Sequence, residues 1–187
     1  MTDRARLREE GCPAVSDVAL IFEQHHDFVW RTIGHLGVPS AAVDDAVQDV
    51  FLVVHRRIAE YDASMPLRAW LYGIARRIAY RHRTREAKVD RLRVVSPEGP
   101  PRPDDVVEQR EAADLVGTFL AGQPPEQREV FILAELEGMS GPEIAAAVGA
   151  KLNTVYSRLR LSRQQFERAL ARSRAHVQRE VRHASAQ

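Results

Sequence analysis

At 187 residues, 44% of them hydrophobic and 28% charged, the chain has the composition of a folded protein with room for one medium domain or two small ones. Lys and Arg number 27 against 26 Asp and Glu, a net charge of +1, so a polyanion could be held only by local clusters and not by overall charge. The lone Cys12 excludes an internal disulfide, and no Cys/His set has the spacing of a structural zinc site. No apolar run approaches a membrane span, and the charged N-terminus has no apolar core behind it, so neither signal peptide, anchor nor membrane insertion is expected. A reducing cytoplasm fits this composition, and nothing in it asks for a cofactor.

Residues 1–15 are charged, contain Gly11 and Pro13 and show no apolar stripe, so they are expected to be disordered. Ser16 is read as the cap of a first helix whose apolar face runs Val18, Ile21, Phe22, His25, Phe28, Val29, Ile33 and Leu36, ended by Gly37 and Pro39. Ser40 is read as the cap of a second, with Val43, Val47, Val50, Phe51, Val54 and Ile58 as its core stripe. Outside that stripe Asp45, Gln48, Asp49 and Leu52 fall at i, i+3, i+4 and i+7: an acidic line with one leucine, which a merely solvated face would also produce. A loop follows over 61–67, marked by Asp62, Ser64 and Pro66. The next helix starts aromatic and apolar (Trp70, Leu71, Tyr72, Ile74, Ile78) and ends basic. Residues 76–93 hold eight Lys and Arg against Glu86 and Asp90, which suits either a charged helix tail or a platform for unpaired bases with phosphate anchors behind it.

Periodicity fails over 86–110, where SPEGPPRPDD is dense in Pro and Gly, so this segment is read as a linker. The fold expected is all-α: two small helical domains, 16–85 and 111–170, joined by that Pro-rich linker and followed by a basic tail, 171–187. The second domain opens with a helix near 107–121 carrying Leu115, Val116, Phe119 and Leu120. A Pro-Pro turn then leads into a helix over 126–137 that packs Val130, Phe131, Leu133 and Leu136 beneath a final helical pair.

In that pair Ser140 and Glu143 form a capping box, Pro142 sits harmlessly in the first turn, Ile144, Ala145 and Val148 face inward, and Gly149 stops the helix. Asn153 is read as the cap of the last helix, where Val155, Leu159, Phe166 and Leu170 form the core stripe. Its other face carries Lys151, Asn153, Thr154, Tyr156, Ser157, Arg160 and Arg163. A short helix, a glycine turn and a helix with a basic outer face is a helix-turn-helix arrangement, although an ordinary helical hairpin has the same spacing. Nine Lys and Arg against two Glu from residue 151 onward favour a phosphate-facing surface.

Taken in order, these motifs resemble the bacterial sigma-70 family, in particular its small extracytoplasmic-function (ECF) group. DDAVQDVFLVVHR (44–56) is similar to the region that docks on the beta-prime clamp of core RNA polymerase. YDASMPLRAWLYGIARR (61–77) is similar to the loop and helix that open and read the minus-ten element, and PPEQREVFILAELEGMSGPEIAAAVG with NTVYSRL to the minus-thirty-five reader. The resemblance implies an alternative sigma factor, not an enzyme, that directs transcription initiation at specific promoters. Its implied partners are core polymerase (beta-prime clamp and beta flap), promoter DNA and an anti-sigma factor. It further implies core-polymerase contacts at Asp45, Gln48, Asp49 and Leu52, and minus-ten contacts at Asp62, Ala63, Ser64, Met65, Trp70, Arg76, Arg77, Arg81 and Arg83. Minus-thirty-five contacts are implied at Lys151, Asn153, Thr154, Tyr156, Ser157, Arg158, Arg160, Leu161 and Arg163. Arg77, Tyr156 and Leu161 depart from residues common in the group, which bears on the promoter read. Other functions compatible with the residues are a stand-alone helix-turn-helix regulator and, less completely, a metal nuclease built on Asp44, Asp45 and Asp49, for which no further ligand cluster is present.

Overall fold

A computed structural model describes residues 18–90 and 115–184, and every regular element among them is a helix. Helix α1 (Val18–His35) ends where Gly37 takes φ 83°, and α2 (Ser40–Arg57) leads through a single 3-10 turn, Ile58–Glu60, into the exposed loop before α3 (Leu67–Asp90). After residue 114 come α4 (115–121), α5 (Pro125–Phe131), a π-helical segment Ile132–Leu136, α6 (Gly141–Val148) and the long α7 (Leu152–Ala184).

Helices α1, α2 and α3 pack mutually because each has one fully apolar stripe. Val29 and Ile33 of α1, Val50 and Val54 of α2 and Leu71 and Ala75 of α3 are completely covered. Burial of each larger aliphatic side chain contributes about 1.5–3 kcal/mol. The core does not stop at this bundle: Val130, Leu133, Met139, Ile144, Val155 and Leu159 join the same cluster, and α6 lies against α3. A smaller cluster of Phe119, Leu120, Phe131 and Ile132, with Phe166 packed against it, ties α4 and α5 to α7, its rings meeting edge-on at 5.0 Å.

A buried ionic centre closes the seam between the two halves. The side chain of Glu137, in the turn after the π segment, has no exposed surface; Arg31 of α1 donates to its carboxylate at 3.0 and 3.3 Å. Arg68 of α3 donates to its carbonyl at 2.6 Å, stands 3.8 Å from its carboxylate and lies over the Phe28 ring at 4.4 Å. His35 Nδ1 is 3.6 Å away, near enough for electrostatic attraction and too far for a hydrogen bond. Burial pushes the Glu137 carboxyl up, but the facing His35 and Arg31 outweigh it and hold the group below the usual carboxylate range.

Several local expectations are corrected. Helix α2 begins at Ser40 itself with Pro39 at the cap position, so the Ser40 hydroxyl caps nothing. Helix α7 begins at Leu152: the amides of Thr154 and Val155 donate to the Lys151 carbonyl, placing Asn153 inside the first turn rather than at the cap. The helix expected over 126–137 starts at Pro125 and widens into π geometry from Ile132. Helix α3 continues to Asp90, into the segment read as linker, because Glu86, Ala87 and Lys88 are good helix formers. Most of the tail is a continuation of α7, as far as Ala184. The expected disorder of 1–15, the Ser16 cap and the remaining linker residues fall outside the described residues.

Candidate nucleic-acid interface

The acidic line of α2 points outward. Asp45 and Gln48 are exposed, and Leu52 is 46% exposed although it follows the buried Phe51. Asp49 is engaged from within the bundle, its carboxylate 3.0 Å from His82 Nε2 of α3. Asp44, one residue before the line, accepts from the Trp30 indole at 3.0 Å, so three neighbouring carboxylates have three different surroundings.

The loop before α3 is fixed from within. The Ser64 amide donates to Asp62 Oδ1 at 2.9 Å and the Met65 amide to the Asp62 carbonyl at 3.0 Å, while the Tyr61 hydroxyl donates to the Met65 carbonyl at 2.5 Å. The Ser64 amide stabilises the charged form of Asp62 and holds its carboxyl below the usual range. Residues Asp62, Ala63, Ser64 and Met65 are all exposed, and Trp70 tilts against Tyr61 at 5.1 Å behind them. This is a preformed, solvent-facing loop backed by aromatic rings.

Further along α3, Arg76, Arg77, Arg81 and Arg83 are exposed. They line a groove of about 1060 Å³ whose opposite walls are the α1–α2 turn and Pro125 and Glu129 of α5. Within it Arg83 donates to the Leu36 carbonyl at 3.2 Å, and Arg76 to Glu129 at 2.8 Å across the two halves. Behind the groove Tyr72 is fully covered; burial, with Glu129 beside it, pushes its phenol well above the usual value. Tyr80, which the sequence reading passed over, is 71% exposed, an aromatic ridge between this groove and a smaller one lined by Asp49, Arg81, His82 and Arg85. Its signal was present in the sequence, since it is the one aromatic residue inside the arginine cluster. Glu137 was also missed, and no local pattern marks it: its cations lie 69 to 106 residues away.

In the helix pair the capping box forms. The Glu143 carboxylate accepts from the Ser140 amide at 2.8 Å and from its hydroxyl at 2.7 Å, and Gly149 takes φ 66° at the turn. Val155 and Leu159 lock the back of α7 into the core. Lys151, Asn153, Tyr156, Ser157, Arg160 and Leu161 are exposed on its outer side, and Thr154 is half-buried. Two of the expected contacts turn elsewhere: Arg163 donates to Glu135 at 2.8 Å, and Arg158 is 4.0 Å from Glu126. Three surfaces therefore stand apart, an acid-and-leucine line, a loop leading into an arginine groove, and a polar helix face. Among the described residues no group of His, Cys, Asp and Glu is arranged to hold a metal, and no helix is long and apolar enough to cross a membrane.

The chain matches the family models of Sigma-70 region 2 over residues 21–89 and Sigma-70 region 4 over 114–166. It is 32% identical over 162 residues to the ECF RNA polymerase sigma factor SigE of Mycolicibacterium smegmatis, spanning 81% of this chain and 61% of that protein's length. It is 30% identical over 145 residues to the RNA polymerase sigma factor CnrH of Cupriavidus metallidurans, covering 72% of this chain and 76% of that one. The fold is similar to that of RpoE from Bartonella quintana, solved with the anti-sigma factor NepR, at TM-score 0.65 and 22% identity over 83% of this chain and 97% of that one. Two sigma-70 regions in the same order, with relatives that are themselves ECF sigma factors, show that the chain belongs to the sigma-70 family as an ECF-type alternative sigma factor, a DNA-binding factor of transcription initiation.

Proposed function

We propose that this sigma factor divides its work among the three surfaces. Asp45, Gln48, Asp49 and Leu52 dock on the beta-prime clamp of core polymerase, with Leu52 as a small apolar anchor inside a polar rim. The Asp62–Met65 loop, with Trp70 behind it, receives a base from the melted minus-ten strand, and Arg76, Arg77, Arg81 and Arg83 hold that strand's phosphates. The outer side of α7 enters the minus-thirty-five major groove, where Asn153, Tyr156, Ser157, Arg160 and Leu161 reach bases and Lys151, Thr154, Arg158 and Arg163 serve the backbone. Arg163 must exchange Glu135 for phosphate, a small cost because both side chains are partly exposed, whereas Arg76 must leave Glu129, only 12% exposed, at a larger one. The second half also meets the beta flap, an anti-sigma protein holds the factor inactive, and all of this takes place in the cytoplasm. The carboxylates of α2 are assigned to docking and not to bond cleavage.

The observation that carries this reading is the coexistence, in one chain, of a preformed loop opening on an arginine groove and a helix-turn-helix face. A duplex-binding regulator needs only the second. The test is transcription from a promoter library with purified core polymerase. Specific transcripts that require both core and this chain are expected; tight specific binding to duplex by the chain alone, with no core-dependent transcription, would establish the stand-alone regulator instead.

A further inference from the structure

Gly141 is the first residue of α6, and nothing in its backbone asks for glycine. Among the described residues the left-handed glycines are Gly37, Gly138 and Gly149, and Gly141 is not one of them. An alanine would serve a helix start at least as well by propensity. What the position lacks room for is a side chain. A methyl carbon placed on Gly141 would come within 2.7 Å of the Tyr156 hydroxyl oxygen, 2.8 Å of its Cε1 and 2.9 Å of its Cζ. The phenol of the last helix is thus seated directly on the backbone that opens the preceding one.

That seat has a consequence for the outer side of α7. Asn153, Tyr156, Ser157 and Arg160 share one exposed face of the first two turns, the part of a second helix that meets base edges. Tyr156 is 51% exposed, so about half its surface is covered and the other half remains open. A tyrosine on a free helix surface would exchange rotamers, and the entropy of fixing it would count against every base contact it makes. Here its position is set before DNA arrives. About half of an aromatic side chain is thus left open beside the polar residues of this face, and the group in the major groove that apolar carbon recognises is the 5-methyl of thymine.

We propose that Gly141 is a positioning residue for promoter reading: by leaving room for the Tyr156 ring it presents that ring to one base pair of the minus-thirty-five element and gives this factor a preference for thymine there. The inference rests on the proposed role of α7. Because the atoms in the way are the far end of a side chain, Gly141→Ala should move the ring and spare the fold.

The experiment is core-dependent transcription across all four bases at each minus-thirty-five position, with the wild type, Gly141→Ala, Tyr156→Phe, Tyr156→Ala and the Gly141→Ala/Tyr156→Ala pair. The wild type should prefer thymine at one position by about tenfold, the size of a single base contact. Tyr156→Phe should keep that preference, and Gly141→Ala should lose most of it with unchanged helix content. In the Tyr156→Ala background, adding Gly141→Ala should change nothing further. A wild-type base profile for Gly141→Ala, or an effect of Gly141→Ala that persists without the Tyr156 ring, would overturn the inference. Absence of any core-dependent transcription by the wild type would instead overturn the functional reading beneath it.

Discussion

Glu137 and Asp49 are both carboxylates facing basic side chains from neighbouring helices, yet their surroundings differ in kind. The Glu137 side chain is wholly covered, and Arg31, Arg68 and His35 converge on it from α1 and α3. The Asp49 side chain is 44% exposed and meets His82 alone. A charge taken fully out of water persists only where several partners replace the lost hydration, so Glu137 is committed to holding the two halves together. An exposed acid with one partner retains water and open lone pairs, and it can serve a second protein without first being extracted from the first. The molecule thus separates an acid enclosed between its two halves from an acid that stays open to solvent, which suits the docking role proposed for the latter.

The largest test of that contrast is Glu137→Ala. It leaves two arginines facing an emptied site and should cost about 3 kcal/mol, the lower end for a broken buried pair because Arg31 is itself 46% exposed. Denaturant unfolding measures it, and a loss below about 0.5 kcal/mol, the size of an ordinary surface change, would erase the distinction from Asp49. Acid provides the same test without a mutation. Since the Glu137 carboxyl is held below its usual value of 4.5, its contribution should be complete above that pH and vanish as pH falls through the lowered value. Unfolding curves that weaken on going from pH 7 to 5 in the wild type but not in Glu137→Gln would contradict it.

Asp49→Arg with Leu52→Ala should sharpen the other side. Association with core polymerase should weaken at least about thirtyfold, as for a central interface anchor, and stability should move by no more than about 0.5 kcal/mol. Equal losses of stability and binding would mean that this line is structural as well. The smallest effect belongs to the pair Arg163–Glu135, whose side chains are 57% and 32% exposed; Arg76–Glu129 ranks above it because Glu129 is only 12% exposed. Arg163→Ala should cost the free protein about 0.2–1 kcal/mol or less, and Arg76→Ala more, because it strands the nearly covered Glu129 carboxylate. They should nevertheless flatten the salt dependence of DNA binding by roughly one counterion each. An unchanged salt slope would remove that arginine from the phosphate contacts.

What the sequence made legible follows the range of the interactions. The stripes Ile21, Phe28, Val29, Ile33 and Val43, Val47, Val50, Val54 are periodic and are buried as read. Phe22, read with them, is 45% exposed and instead lies edge-on against Phe51 at 4.7 Å, because it sits at the margin of the α1 stripe. The Ser140–Glu143 box and the Gly149 stop were readable since each signal lies within four or fewer consecutive residues. Ser40 and Asn153 misled for the same reason: cap residue types are local hints, and a helix that starts one or two residues earlier absorbs them. The outward placement of Leu52 was legible from its spacing. The Glu137 centre, the Arg76–Glu129 pair and the Gly141–Tyr156 seat depend on how separate helices meet, which no single window of sequence encodes.

The π segment Ile132–Leu136 has a meaning in the arithmetic of insertions and deletions. Bonds such as Glu137 N–H to the Ile132 carbonyl at 3.0 Å span five residues rather than four, so this turn holds one residue more than an α-helix would. Deleting Ala134 would let the backbone relax to ordinary α geometry, locally a gain. Relative to the helix axis, the phase of the residues after the turn would be nearly kept, because a wide turn and an α turn each close one revolution and differ by the one residue removed. Deleting a residue from the α-helical part of α5 would instead turn Glu137 by about 100° away from Arg31 and Arg68, because that part has no extra residue to give up. Among single-residue deletions in this stretch, one within 132–136 should therefore disturb the docking of Glu137 and α6 least, the wide turn being the place where the count can change while the direction is kept.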